Sequence, residues 1–116
     1  MIGTLTQEIP LSMIRGDTLS LGFEVEGLTD DFDEVYFSCR TALGTNTYVF
    51  QGSLTGGEVT KVDTGKYLVR IPPSYTANLE PKTYVYDLEV TLGTDVFTPL
   101  IGKLKINCGV SEGAMS

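Results

Sequence analysis

The sequence predicts an all-β protein folded as an antiparallel sandwich of about seven to eight short strands. Three observations carry that prediction. Across residues 82–92, Tyr84, Tyr86, Leu88, Val90 and Leu92 fall on one face, while Thr83, Asp87, Glu89 and Thr91 fall on the other. Val85 is the apolar exception. A period of two over that length marks a half-buried strand, here taken as the centre of a sheet. Turn residues recur about every 8–12 positions, the spacing of a sandwich. No stretch shows the period of a long amphipathic helix, and a small barrel is the second architecture the pattern allows.

Taken in order, residues 9–14 alternate Ile9, Leu11 and Met13 with Pro10, Ser12 and Ile14. Pro10 cannot donate to a ladder, so this strand belongs at an edge or a bulge. Arg15-Gly16-Asp17 is a turn. Residues 18–26 turn Leu19, Leu21, Phe23 and Val25 to one face. After an acidic loop, residues 35–41 carry bulk on both faces, as a central strand does. Tyr48-Val49-Phe50-Gln51 is a short edge candidate, and residues 58–62 form another short strand. Asp63-Thr64-Gly65 is a hairpin turn leading into residues 66–71, with Tyr67, Val69 and Ile71 inward. Pro72-Pro73 stops that strand. Ser74 is expected to cap one helical turn over 75–79 within the crossing 72–81, which carries the chain between sheets. The last strand, 96–106, begins near Pro99, a bulge or edge signal.

At 116 residues the chain is expected to be one domain. Residues 1–8 read as a lead-in, 9–106 as the sandwich and 107–116 as a flexible tail. Net charge is −7 with no histidine. Eight scattered basic residues against fifteen acids argue against a phosphate-backbone binder, so no nucleic-acid partner is expected. No apolar run approaches the roughly 20 residues that span a bilayer, so no membrane is expected either. The first residues lack the basic and apolar regions of a secretory signal. Without histidine the usual general base and the commonest zinc ligand are missing, and no cofactor is expected. Cys39 and Cys108 lack CxxC spacing. Either they pair, or Cys39 is a small buried hydrophobe on a strand and Cys108 lies in the fraying end.

Several residues resemble a known family. Arg15-Gly16-Asp17-Thr18 opens a strand carrying Phe23. Gly65-Lys66-Tyr67-Leu68-Val69-Arg70-Ile71-Pro72 follows, then Leu79-Glu80-Pro81-Lys82-Thr83-Tyr84-Val85-Tyr86-Asp87-Leu88, and the chain closes on Gly102-Lys103-Leu104-Lys105-Ile106. From residue 9 to 106 this resembles the N-terminal, immunoglobulin-like domain of the baseplate upper protein family. Those are structural proteins of tailed bacteriophages and prophages of Gram-positive hosts. The resemblance implies an immunoglobulin-like sandwich and a non-enzymatic virion component assembled in the host cytoplasm. It implies docking on itself as a homo-oligomer, on other phage tail proteins, or both. In that family helical and receptor-binding parts follow the domain, whereas here a short tail does, so an excised domain and a stand-alone protein both stay open.

Four groups of residues have side chains that suit a site. Asp30, Asp31, Asp33 and Glu34 hold enough oxygens for a weak calcium site, but Phe32 interrupts them and no EF-hand glycine is present, so a solvated loop is the simpler reading. Arg15-Gly16-Asp17 matches an adhesion tripeptide, yet a turn in which Asp17 bonds its own backbone explains it. Asp87 and Glu89 would serve glycoside hydrolysis only as two acids facing a cleft. The alternative places them on a solvated sheet face, paired with Lys103 or Lys105. Of the six tyrosines, most are expected in the core, with Tyr36 out of phase and free to face a partner. A carbohydrate-binding or adhesion module is the second functional expectation.

Overall fold

The computed structural model describes residues 6–25, 30–42 and 47–109. Among these residues nine strands form two sheets: β1 (Gln7–Glu8), β2 (Leu11–Ile14), β3 (Leu19–Glu24), β4 (Glu34–Arg40), β5 (Tyr48–Ser53), β6 (Val59–Asp63), β7 (Lys66–Ile71), β8 (Thr83–Leu92) and β9 (Asp95–Asn107). The larger sheet has the order β1-β9-β8-β4-β5, with β2 also on β9; the smaller has the order β3-β7-β6. The alternating strand 83–92 is therefore the centre of the larger sheet, and the two candidate edges are edges.

The alternation works as the sequence suggests. Tyr84, Tyr86, Leu88 and Val90 are buried, as are Tyr67, Val69 and Ile71 on the facing sheet. Burying each large side chain contributes about 1.5–3 kcal/mol. Two aromatic stacks organise the space between the sheets. Phe37 lies 5.3 Å from Tyr86 and 6.2 Å from Phe50. Tyr67 lies 5.5 Å from both Phe23 and Phe32, and its hydroxyl accepts the Phe32 amide at 3.0 Å. That bond satisfies a polar group that the core would otherwise penalise.

Two bulges adjust the register of the larger sheet. Leu88 faces Leu100 and Val90 faces Phe97, so Thr98 and Pro99 together face Glu89. This is the bulge that Pro99 signals, where the missing N–H removes nothing from the ladder. On β5, Phe50 faces Cys39 and Tyr48 faces Arg40, leaving Val49 as the extra residue.

The sheet is not wholly antiparallel. β1 and β2 run parallel to β9, pairing Gln7 with Leu100 and Leu11 with Leu104. The register is the same on both sides of Pro10, so the two are one edge strand that proline interrupts. The expected lead-in thus contains strand, because two residues are too few to show an alternation. At the other end β9 reaches Asn107, whose carbonyl accepts the Arg15 amide at 2.7 Å, so the sandwich enters the expected tail. Residues 110–116 of that tail lie outside the described residues.

The crossing is shorter and differently capped than expected. A 3-10 turn covers Pro73–Tyr75, and its N-cap is Pro72, with no side-chain cap. Ser74 sits inside the turn because Pro73 takes the first position, where its fixed φ and missing N–H cost nothing. Thr76 is fully buried, and its hydroxyl accepts the Gly16 amide at 3.0 Å. Tyr75 donates to Glu58 at 2.5 Å. The crossing is thereby fixed to both neighbouring turns.

Gly102 lies on β9 beside the break between β1 and β2. The Ile9 amide donates to Ile101 at 2.9 Å, and the Ile9 carbonyl accepts the Tyr86 hydroxyl at 2.7 Å. A Cβ at position 102 would collide with that carbonyl oxygen. Gly102→Ala is expected to destabilise the fold by about 1–3 kcal/mol, as overpacking does. Urea unfolding measures the loss, and hydrogen exchange should show the Ile9 amide losing protection while β4 keeps its own.

Candidate functional site

The period of two that fills the core also builds the outer face of the larger sheet. β4 presents Tyr36, Ser38 and Arg40 outward, and β8 presents Val85, Asp87 and Glu89. Register sets Tyr36 beside Glu89, Ser38 beside Asp87 and Arg40 beside Val85. Arg40 is thus the diagonal neighbour of Asp87. The bulge at Val49 turns Tyr48 onto this face, where the Arg40 guanidinium lies 4.6 Å from its ring centroid. Gln51 donates to the Ser38 hydroxyl at 2.9 Å, and Ser38 is buried.

Two depressions of about 140 and 280 Å³ share Ser38, Arg40 and Asp87 in their linings. The larger adds Tyr36, Tyr48, Gln51 and Glu89. Burial pushes the Asp87 carboxyl above the usual range, and the Arg40 charge pulls part of the way back. The Arg40 Nε is buried without a hydrogen-bond partner. Buried donors are ordinarily satisfied, so this one is open to an acceptor. Chemically the groove offers donors, acceptors and two aromatic rings. Nothing in it pairs a nucleophile with a base, since Ser38 is engaged by Gln51 and the chain has no histidine.

The expected pairing of Asp87 and Glu89 with Lys103 or Lys105 does not form. Directly opposite Asp87 on β9 is Ile101, while Lys103 and Lys105 face Val85 and Thr83. The register that fills the core with Leu100 and Leu104 fixes this offset. Among the described residues the ion pairs are Lys61–Asp31, Lys66–Glu24 and Lys82–Glu80.

The acidic loop is divided among separate partners. Asp31 pairs with Lys61 at 2.8 Å, Asp33 accepts the Gly93 amide at 2.7 Å, and Asp30 is exposed. Phe32 between them is buried in the core. Glu34 accepts the Val35 and Leu54 amides at 2.9 Å, the Thr55 amide at 3.2 Å and the Thr55 hydroxyl. Burial alone would raise its pKa, but the Thr55 hydroxyl and the three amides outweigh it and hold the carboxyl below its ordinary value. Among the described residues no three metal-ligating side chains converge.

The Arg15-Gly16-Asp17 tripeptide is a turn. Gly16 has φ +85°, and the Asp17 amide, rather than its side chain, closes the turn on the Ile14 carbonyl at 3.1 Å. Arg15 donates to the Leu79 carbonyl at 3.1 Å, which draws it toward the crossing. Of the tyrosines, Tyr67, Tyr84 and Tyr86 are buried and Tyr36 is half-buried on the outer face, while Tyr48 is 43% exposed. Tyr48 was not separable from the core set by alternation, because the bulge reverses its face. Both cysteines are free. Cys39 is buried, with its thiol pushed up to about 12 by desolvation, and Cys108 is exposed.

These features define a class, an immunoglobulin-like β-sandwich. The immunoglobulin-like domain of mouse leukocyte-associated immunoglobulin-like receptor 1, solved as a strand-swapped dimer, superposes with a TM-score of 0.52 at 14% identity, covering 84% of this chain and 86% of that one. That likeness concerns the fold. No family model matches the sequence, and no curated protein matches it.

A carboxylate held low contributes stability above its unfolded pKa and loses it as pH falls through the folded pKa. Glu34→Ala should therefore cost about 1–3 kcal/mol at neutral pH, by leaving amides unpaired. Glu34→Gln should flatten the acid limb of a stability–pH curve. Asp87 has the opposite sign, so Asp87→Asn should stabilise the fold at neutral pH in the same denaturation series. For the thiols, a native-state disulfide reagent should titrate Cys108 alone, and Cys39 only after unfolding.

Proposed function

We propose that the chain is a non-enzymatic structural module of a bacteriophage or prophage tail or baseplate, and that it docks on protein partners through an open edge of its larger sheet. The tail or baseplate setting is supported by the motifs around Gly16-Asp17-Thr18, Leu79-x-Pro81 and Tyr84-x-Tyr86-Asp87. The observation that carries the docking reading is the character of β5. Edge strands template pairing with another chain unless they are blunted. The β1–β2 edge is interrupted by Pro10; β6 carries Lys61, Asp63 and a bulge; and β3 ends in Glu24, 3.5 Å from Lys66. β5 reads Tyr-Val-Phe-Gln-Gly-Ser, with neither proline nor charge; its own bulge is confined to Val49 at its start, and Phe50 to Ser53 keep regular register. Among the described residues it pairs with β4 alone.

A second reading, a carbohydrate-binding module, is favoured by a different observation. Tyr36 and Tyr48 line one outer-face depression together with Arg40, Gln51, Asp87 and Glu89.

Gln51→Lys places a charge on the exposed, regular part of the β5 edge. It should weaken self-association, or binding to tail proteins encoded beside this chain, at least tenfold with circular dichroism unchanged. Light scattering and pull-down measure this. A chain that stays monomeric when concentrated and binds no tail protein contradicts the docking reading.

A further inference from the structure

We infer that the outer-face groove around Arg40 binds a single neutral sugar ring, with Arg40 and Asp87 gripping its hydroxyls and Tyr48 lying against the ring. The inference rests on the carbohydrate-binding reading and assigns it a site and a chemistry.

Three features select the ligand class. The Arg40 Nε is a buried donor with no acceptor, so the ligand must accept a hydrogen bond there. Asp87, diagonal to it, is a half-buried carboxylate that no donor among the described residues engages, which leaves it open to a donor from the ligand. A hydroxyl does both at once, and adjacent hydroxyls on a ring can bridge the two groups. The charges around the groove are mixed: Arg40 and Lys103 stand against Glu8, Asp87 and Glu89. No single sign dominates, which disfavours a polyanion or a strongly cationic ligand.

Size and shape agree. The depression of about 280 Å³ lies just below the roughly 300–1,000 Å³ of sites for drug-sized ligands, and suits one ring. Tyr48 is 43% exposed, but its orientation is fixed by the guanidinium stacked on it, so little ordering is needed on binding. The exposed Gln51 donates its amide nitrogen to the buried Ser38 hydroxyl at 2.9 Å, which leaves its amide oxygen as a further acceptor. A contact set this small predicts weak binding to one ring, with tighter binding only where several copies of the domain are displayed together.

The test is a titration of the full chain with the methyl pyranosides of glucose, galactose, rhamnose and N-acetylglucosamine, followed by amide NMR shifts. Saturable shifts are expected at Tyr36, Ser38, Arg40 and Asp87 with a millimolar dissociation constant. Arg40→Lys keeps the charge but removes Nε, and should weaken binding at least tenfold; Tyr48→Ala should do the same. Glu24→Gln on the opposite sheet should leave binding unchanged, and thermal melts confirm that each variant is folded. Saturable shifts elsewhere, or binding indifferent to Arg40→Lys, overturn this site while leaving carbohydrate binding in place. Silence with all four sugars and on an array of bacterial glycans overturns both. Shifts at Arg40 with acetate but with no sugar identify an anion site and overturn the inference.

Discussion

The pairing of β4 with β8 is the constraint on which both faces of this molecule depend. One register places Phe37 beside Leu88 and Cys39 beside Tyr86 on the inside, and Ser38 beside Asp87 on the outside. A slip of one residue would exchange the faces, burying Arg40 and Asp87 and exposing Phe37 and Leu88. The aromatic stack of Phe37 between Tyr86 and Phe50 holds the register against that slip. The groove is therefore a consequence of the core, and its residues need no separate scaffold.

The same logic explains why the larger sheet can offer an edge. Its centre is anchored by the long strands β8 and β9, while β5 is held on one side by β4. Glu34 and Glu58 tie down the turn that follows β5. Glu34 accepts the Leu54 and Thr55 amides, and Glu58 accepts the Ser53 amide at 3.0 Å and the Tyr75 hydroxyl at 2.5 Å. The end of β5 is thus fixed by side chains while its outer ladder has no partner among the described residues. A strand so held presents its backbone groups in a fixed line, which lowers the ordering cost of adding another strand.

Much of this fold was legible in the sequence, because period two, proline and glycine are local signals. The alternation of residues 83–92 marked the central strand, Pro99 marked a bulge and Gly65 marked a hairpin turn with φ +76°. The groove was less legible. Tyr36 announced itself by phase, but Arg40, Ser38 and Asp87 come together only through a cross-strand register that no single strand encodes. Tyr48 was hidden by a bulge one residue away. The parallel course of β1 and β2 left no mark, since Gln7 and Glu8 are too short a run. The acidic loop suggested calcium because its partners Lys61, Thr55 and Gly93 are distant in sequence, and they divide its carboxylates.

The central claim is that β5 is the face through which this sandwich docks. Hydrogen exchange on the β5 amides tests it most directly, comparing the dilute chain with the chain concentrated or mixed with a docking partner. The outward amides of β5 should gain protection on association, while those of β8, already paired on both sides, stay as they were. Protection that appears on β3 or β6 while β5 remains unchanged would contradict the account.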